Sequence, residues 1–229
     1  MFSVFKKPQP TATAIVRDSI SFEYHGIEHS DLSPGSLRVI DILQKAGYSA
    51  YLVGGGIRDL LLGKHPKDFD VATNAKPNEI QRLFRKSRII GRRFQIVHVR
   101  IGPEIIEVTT FRGAASNSRH QQINATGMLV RDNVFGTVED DAFRRDFTMN
   151  ALYFDPSRYE ILDFVGGYDD LEDGIIRMIG DPERRYREDP VRMLRAIRFV
   201  GKLGLRLDVE TAEPIHQLSA LIRDVSSSR

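Results

Sequence analysis

The chain contains no cysteine. Disulfide scaffolds, thiolate zinc sites and cysteine nucleophiles are therefore excluded, and the absence fits a reducing compartment. An excess of one charge is also missing: 33 Lys+Arg against 31 Asp+Glu leave +2 over 229 residues. A polycationic coat for nucleic acid is ruled out, but local basic patches are not. No apolar run approaches the ~18 residues needed to span a membrane. The start, MFSVFKKPQP, lacks the apolar stretch of a signal peptide. The expectation is a soluble cytoplasmic protein. What is present is ordinary globular material, 41% hydrophobic and 28% charged, enough for one to two domains with a sizeable core.

Residues 1–33 show no sustained period and read as an extended arm. SPGSLRVIDILQKAG reads as a helix, with Ser33 as cap, Pro34 in the first turn, Gly47 at the end, and Leu37, Ile40 and Leu43 on one face. A strand, YSAYLV, then breaks into three glycines, and IRDLLLG follows as a short helix. DFDVAT is a second strand and PNEIQRLFRK a further helix. RFQIVHVRI and EIIEVTTF form a hairpin about Gly102 and Pro103. Residues 113–133 are a long polar loop. EDDAFRRDFTMNALYFD is a helix leading into a strand, and the pattern is helical from Pro182 onward. The reading is an α/β (α+β) domain over 34–165, followed by a helical unit over 166–229.

The densest chemistry lies in YLVGGGIRDLLLGKHPKDFDVAT. Gly54, Gly55 and Gly56 fall where a strand turns into a helix, which exposes N–H groups to an anion. Arg58 lies one turn on and could reach the same anion. A tight turn that simply needs positive φ accounts for the glycines equally well. Asp68 and Asp70 are two apart, so on a strand they share a face. Two carboxylates side by side repel unless a cation lies between them, and such hard oxygen donors suit Mg²⁺. A pair of metal ions can hold an attacking and a leaving oxygen in line, commonly with a third carboxylate. Glu107 and Asp146 are both candidates. An edge-strand charge explains Glu107 equally, and a salt bridge to neighbouring arginines explains Asp146.

Two stretches are basic. Arg82 to Arg100 holds seven Lys/Arg, including Arg88, Arg92 and Arg93, and no acidic residue. It suits phosphate tracking along RNA or a triphosphate, or a solvated surface. In RRYREDPVRMLRAIRFVGKLG, Arg192, Arg195 and Arg198 recur every three residues after Asp189. An Asp and an Arg three apart on a helix can complement a nucleobase edge, or can pair with each other.

In order, GGGIRDLLLG, DFD, EVTTFR, RRDFTMNAL, LDFVGG and REDPVRMLRAIRF resemble the class II nucleotidyltransferases. These include CCA-adding tRNA nucleotidyltransferases and bacterial poly(A) polymerases. The stretch before EVTTFR looks like the poly(A) polymerase branch, with the CCA-adding branch as the alternative. The resemblance implies a polymerase-β-like head with a mixed sheet, an all-helical neck, and further domains beyond the neck that look absent from this chain. It implies metals (Mg²⁺ or Mn²⁺) on Asp68 and Asp70, with Asp146 and Glu107 as further active-site carboxylates. Gly54, Gly55, Arg58, Arg112, Arg145 and Asn150 would contact the nucleotide. Asp189 and Arg192 would read its base, with Arg195 and Arg198 nearby. The implied substrates are ATP and an RNA 3′ end. A non-catalytic RNA-binding domain on the same fold is the alternative of another class.

Overall fold

The computed structural model describes residues 18–91, 95–113, 121–123, 129–132 and 134–225. The chain runs β1 (Asp18–Ser21), α1 (Phe22–His25), α2 (Pro34–Lys45), β2 (Ala50–Val53), α3 (Gly55–Leu61), β3 (Asp70–Thr73), α4 (Pro77–Leu83), β4 (Ser87–Ile90), β5 (Ile96–Ile101) and β6 (Glu104–Thr110). It continues through β7 (Gln121–Ile123), β8 (Leu129–Asp132), α5 (Val138–Arg144), β9 (Leu152–Asp155), β10 (Glu160–Asp163) and α6 (Gly167–Glu172). The last elements are β11 (Ile175–Ile176), α7 (Pro182–Glu188), α8 (Val191–Leu203), β12 (Arg206–Leu207) and α9 (Val209–Leu218).

Eight strands form one sheet in the order β1-β10-β9-β2-β3-β6-β5-β4. Only β3 and β6 run parallel in it, so the sheet is mixed, as the family resemblance implies. One face buries Leu52, Val71, Val97, Val99, Ile106 and Val108 against Val39, Ile40 and Leu43 of α2 and Ile80 of α4. These positions alternate along each strand, as a half-buried sheet requires. Ser33 caps α2 by accepting from the Ser36 amide, and Pro34 fills its first turn. On the other face, Val53, Ala72, Phe111, Ala142 and Tyr153 form a smaller cluster towards α5. Over β4–β6 that second face is open.

Several boundaries differ from the sequence reading. Residues from Asp18 onward are not a loose arm. β1 pairs with β10 as an edge strand, and Ile20, Ile27 and Leu32 are buried. His25 fixes this segment by accepting from the Ile27 amide and donating through Nε2 to the Tyr159 carbonyl at 3.0 Å. Burial lowers the pKa of that imidazole, in keeping with its neutral role. Residues 1–17 lie outside the described residues, as do 114–120, 124–128 and 133 of the polar loop. The predicted helix over 77–86 stops at Leu83, and Ser87–Ile90 forms a strand instead. The second unit is not all-helical, because β11 and β12 pair as a short parallel ladder. No helix among the described residues is long and apolar enough to cross a membrane.

The glycines of LDFVGG lead into α6. A Cβ on Gly167 would collide with the Thr148 carbonyl, which lies in the RRDFTMN segment. Backbone cannot move aside as a side chain can. Gly167→Ala is expected to cost about 3 kcal/mol, and urea unfolding with the slope unchanged would measure it.

Candidate active site

The acidic centre comes from strand register. Val53 pairs with Asp70 across β2 and β3, and Asp70 pairs with Glu107 across β3 and β6. Opposed residues share a face, so the two carboxylates stand side by side. Ile105, Glu107 and Thr109 alternate with buried Ile106, Val108 and Thr110, as the strand reading of that segment expects. Asp68 differs from expectation. It is exposed and precedes β3 rather than sharing the strand with Asp70. It still acts on Asp70 by charge. Burial, then Glu107 and Asp68, push the Asp70 carboxyl up to about 6, against the opposing pull of Arg145. A hard cation would relieve that crowding, so the donor set fits Mg²⁺ or Mn²⁺. Among the described residues these acids are not drawn into a closed metal-ligating group.

The glycine turn sits against this centre. Gly54 has φ 78°, which favours glycine, and a Cβ there would stand 3.6 Å from both Asp70 Oδ2 and Arg145 Nη1. Arg145 is held by its partners. Its Nε and Nη2 donate to Asp141 Oδ2 at 3.1 and 3.0 Å, and its Nε also meets the Tyr153 hydroxyl at 2.9 Å. Burial alone would lower its pKa, but Tyr153 and Asp141 more than offset this and raise it.

Asp146 is placed elsewhere. It accepts from Arg195 Nε at 2.6 Å, Asn150 Nδ2 at 3.0 Å and the Phe147 amide at 2.8 Å. Burial would raise its pKa, yet Arg195, Asn150 and the amide hold it below the usual carboxylate range. Asn150 Oδ1 in turn accepts from Arg58 Nη1 at 2.6 Å. Arg58 is only 3% exposed. Its guanidinium is taken up by Asp59, Asn150 and the ring of Phe199, 5.0 Å away. Arg195 also lies over Phe199, at 5.2 Å. Arg58, Asn150, Asp146 and Arg195 therefore form one relay from α3 to α8, rather than a set reaching towards Asp70.

A cleft of about 500 Å³ opens between the sheet and the residues of α5, α7 and α8. Of the predicted residues it brings together Asp70, Glu107, Arg112, Arg145, Asp189 and Arg192. Sequence reasoning missed Arg144 and Arg185, which also line it. Burial and neighbouring guanidinium groups push both down to about 10. Arg185 Nη2 donates to the Arg144 and Arg145 carbonyls at 2.6 Å, while its buried Nε has no partner. Asp189 and Arg192 meet through their backbones at 3.0 Å, and the Arg192 side chain turns to the Arg185 carbonyl and Glu188. The cleft thus has an acidic wall from the sheet and a guanidinium wall from α5, α7 and α8. Such a pair of walls suits a polyanion bridged to cations.

Residues 50–177, more than half the chain, match the Poly A polymerase head domain. The chain belongs to the poly(A) polymerase head-domain family. It is 55% identical to poly(A) polymerase I of Escherichia coli O6:H1 over 225 residues, 96% of this chain and 47% of that protein. It is 51% identical to poly(A) polymerase I of Haemophilus influenzae, over 89% of this chain and 46% of that protein. A CCA-adding enzyme of Geobacillus sp. is 41% identical over 85% of the chain and 46% of that protein. The solved CCA-adding enzyme of Bacillus stearothermophilus, in complex with CTP, superposes with TM-score 0.73 at 37% identity, covering 85% of this chain and 46% of that one. The chain therefore spans about half the length of the curated relatives it matches.

In this member of the poly(A) polymerase head-domain family, the other described residues among those predicted do not line the cleft. Gly55 opens α3 behind Gly54, with Arg58 Nη2 3.4 Å from where its Cβ would be. Arg198 is exposed on α8 and Arg88 is exposed on β4. Arg92 and Arg93 lie outside the described residues. Of the missed residues, Arg144 has a signal, as the first arginine of RRDFT. Asp141 and Tyr153 have none, since only the fold brings them to Arg145.

Proposed function

We propose that the chain is the head and neck of a template-independent poly(A) polymerase, adding AMP from ATP to RNA 3′ ends. The cleft carries the reading: carboxylates on one wall, an arginine cluster on the other, and a glycine turn between Asp70 and Arg145. A 3′-hydroxyl oxygen bonds to the α-phosphorus of ATP, the bond to the β-phosphate oxygen breaks, and pyrophosphate leaves with the electron pair. Asp68, Asp70 and Glu107 would hold Mg²⁺ or Mn²⁺, which lowers the hydroxyl pKa and neutralises developing charge. Arg145, kept charged by Asp141, and the cluster of Arg112, Arg144 and Arg185 hold the triphosphate. Asp189 and Arg192 present the groups that select the base. A site built from hydrogen bonds discriminates strongly, because a wrong base leaves its buried partners unpaired.

Asp146, Asn150, Arg195 and Arg58 act in this reading as positioning residues that fix the angle between the two cleft walls. Gly54 and Gly55 let the backbone approach the phosphates. Arg88 and Arg198 are surface contacts for RNA, and Arg92 and Arg93 are assigned to RNA from the basic run of the sequence alone. A CCA-adding activity is the second reading, favoured by the 37% identity to an enzyme solved with CTP. Extension of a generic labelled RNA with each nucleotide supplied singly separates the two. Long ladders with ATP alone are expected. Addition confined to a few C and A residues on tRNA ends would move the chain to the CCA-adding branch.

A further inference from the structure

Glu107 belongs to a row of side chains that leaves the cleft. The register sets Asp70 beside Glu107, Glu107 beside His98, and His98 beside Arg88. Opposed residues share a face, and the row runs about 14 Å at ordinary strand spacing. His98 Nε2 lies 3.3 Å from Glu107 Oε1. Arg100 and Ile105 oppose each other on the same face, two residues beyond His98 and before Glu107. The reverse side of these strands is core, whereas this side is open. Arg88 and Arg100 are exposed, and Ile105 is 60% exposed. Beyond Glu107, the ionisable side chains on this face of β4–β6 are all basic: His98, Arg88 and Arg100. None of the three lines the cleft.

The chemistry gives this asymmetry a meaning. In-line displacement puts the attacking oxygen and the leaving pyrophosphate on opposite sides of the α-phosphorus. With the triphosphate among the cleft arginines, the attacking 3′-hydroxyl approaches Asp70 and Glu107 from the open β4–β6 face. We propose that this face is the track of the RNA 3′ end, with Arg88 and Arg100 holding the phosphodiesters behind the terminal nucleotide and Ile105 lying beneath it. The inference rests on the nucleotidyltransferase reading above and gives that site a direction.

The test measures binding of a fluorescent oligoadenylate to the full chain across a salt series. ATP binding is followed in parallel with a fluorescent ATP analogue. Arg88→Ala/Arg100→Ala is compared with Arg38→Ala/Lys45→Ala, which removes the same charge from the exposed side of α2. The first pair is expected to weaken RNA binding about tenfold and to lower the salt slope by about two. ATP affinity should stay within about twofold in both pairs. Arg88→Lys/Arg100→Lys should recover most of the loss. Equal RNA affinity in the two alanine pairs, with ATP binding and RNA extension intact, overturns the track and leaves the proposed activity standing. A wild-type chain that binds neither ATP nor RNA overturns both.

Discussion

Asp70→Asn is expected to make the protein more stable and to abolish nucleotide addition. The folded Asp70 carboxyl keeps its proton up to about 6, against an ordinary value of 3.8. Between those values the folded state binds a proton that the unfolded state has released. Stability therefore falls as pH rises through that window, and it remains lower above it. The penalty at pH 7 is about 2 kcal/mol without metal, allowing for partial exposure of the group. The amide removes the charge and keeps the shape, so most of this penalty returns as stability and the pH slope flattens. Addition should drop at least ~10³-fold, the scale on which transition-state charge stabilisation acts. Thermal melts at several pH values read the first effect. They also give a readout independent of turnover, since added Mg²⁺ should raise the wild-type melting temperature more than that of the variant. A variant less stable than wild type at pH 7 would contradict the account of Asp70.

The second large effect concerns Asp146. It ties Arg195 of α8 to Asn150 and the Phe147 amide, and through Asn150 to Arg58. Asp146→Ala removes all of these acceptors and leaves Arg195 unpaired beside Phe199. The expected cost is about 3 kcal/mol, at the lower end for a broken buried pair because Arg195 keeps some access to water. Activity should fall as well, since the angle of the two cleft walls is no longer fixed. Arg195→Ala gives a sharper test. In the wild type, Asp146 is held below the usual carboxylate range, so its contribution is present at neutral pH and is lost as pH falls through the folded value. Without Arg195, Asp146 loses the largest of the influences that lower its pKa, and the pKa rises. This contribution to stability should then shrink at neutral pH, and the pH slope between acid and neutral should flatten. Arg195→Lys should restore the wild-type slope in part. Chemical denaturation at pH 4 and pH 7 reads the change; a slope identical to wild type would contradict it.

What could be read from the sequence followed the range of the interactions. Helix α2 was legible because Ser33, Pro34 and the spacing of Ile40 and Leu43 are local signals. The glycine turn and DFD were legible because turn chemistry and paired acids lie within a few residues. The choice between Glu107 and Asp146 was not, because each residue has a bland local explanation. Only the β3–β6 register sets Glu107 beside Asp70, and that pairing joins residues almost forty positions apart. The place of Arg58 on the first helical turn suggests an anion contact. Beside its neighbour Asp59, its partners Asn150 and Phe199 come from distant motifs and draw it inward. Strand β4 was hidden because Ser87–Ile90 follows a basic helical pattern directly. Strand β1 was hidden because a four-residue edge strand with one buried isoleucine leaves almost no periodic signal. Arg185 shows the same limit, since its role depends on the Arg144 and Arg145 carbonyls, which lie far from it in the sequence.

In the proposed function, this cleft joins AMP to an RNA 3′ end. The most direct measurement follows a 5′-labelled RNA with ATP and Mg²⁺, counting residues added and pyrophosphate released in the same reaction. One pyrophosphate per added AMP is expected, together with loss of both signals in Asp68→Asn/Asp70→Asn. ATP consumption without RNA lengthening, or lengthening that survives the double substitution, would contradict it.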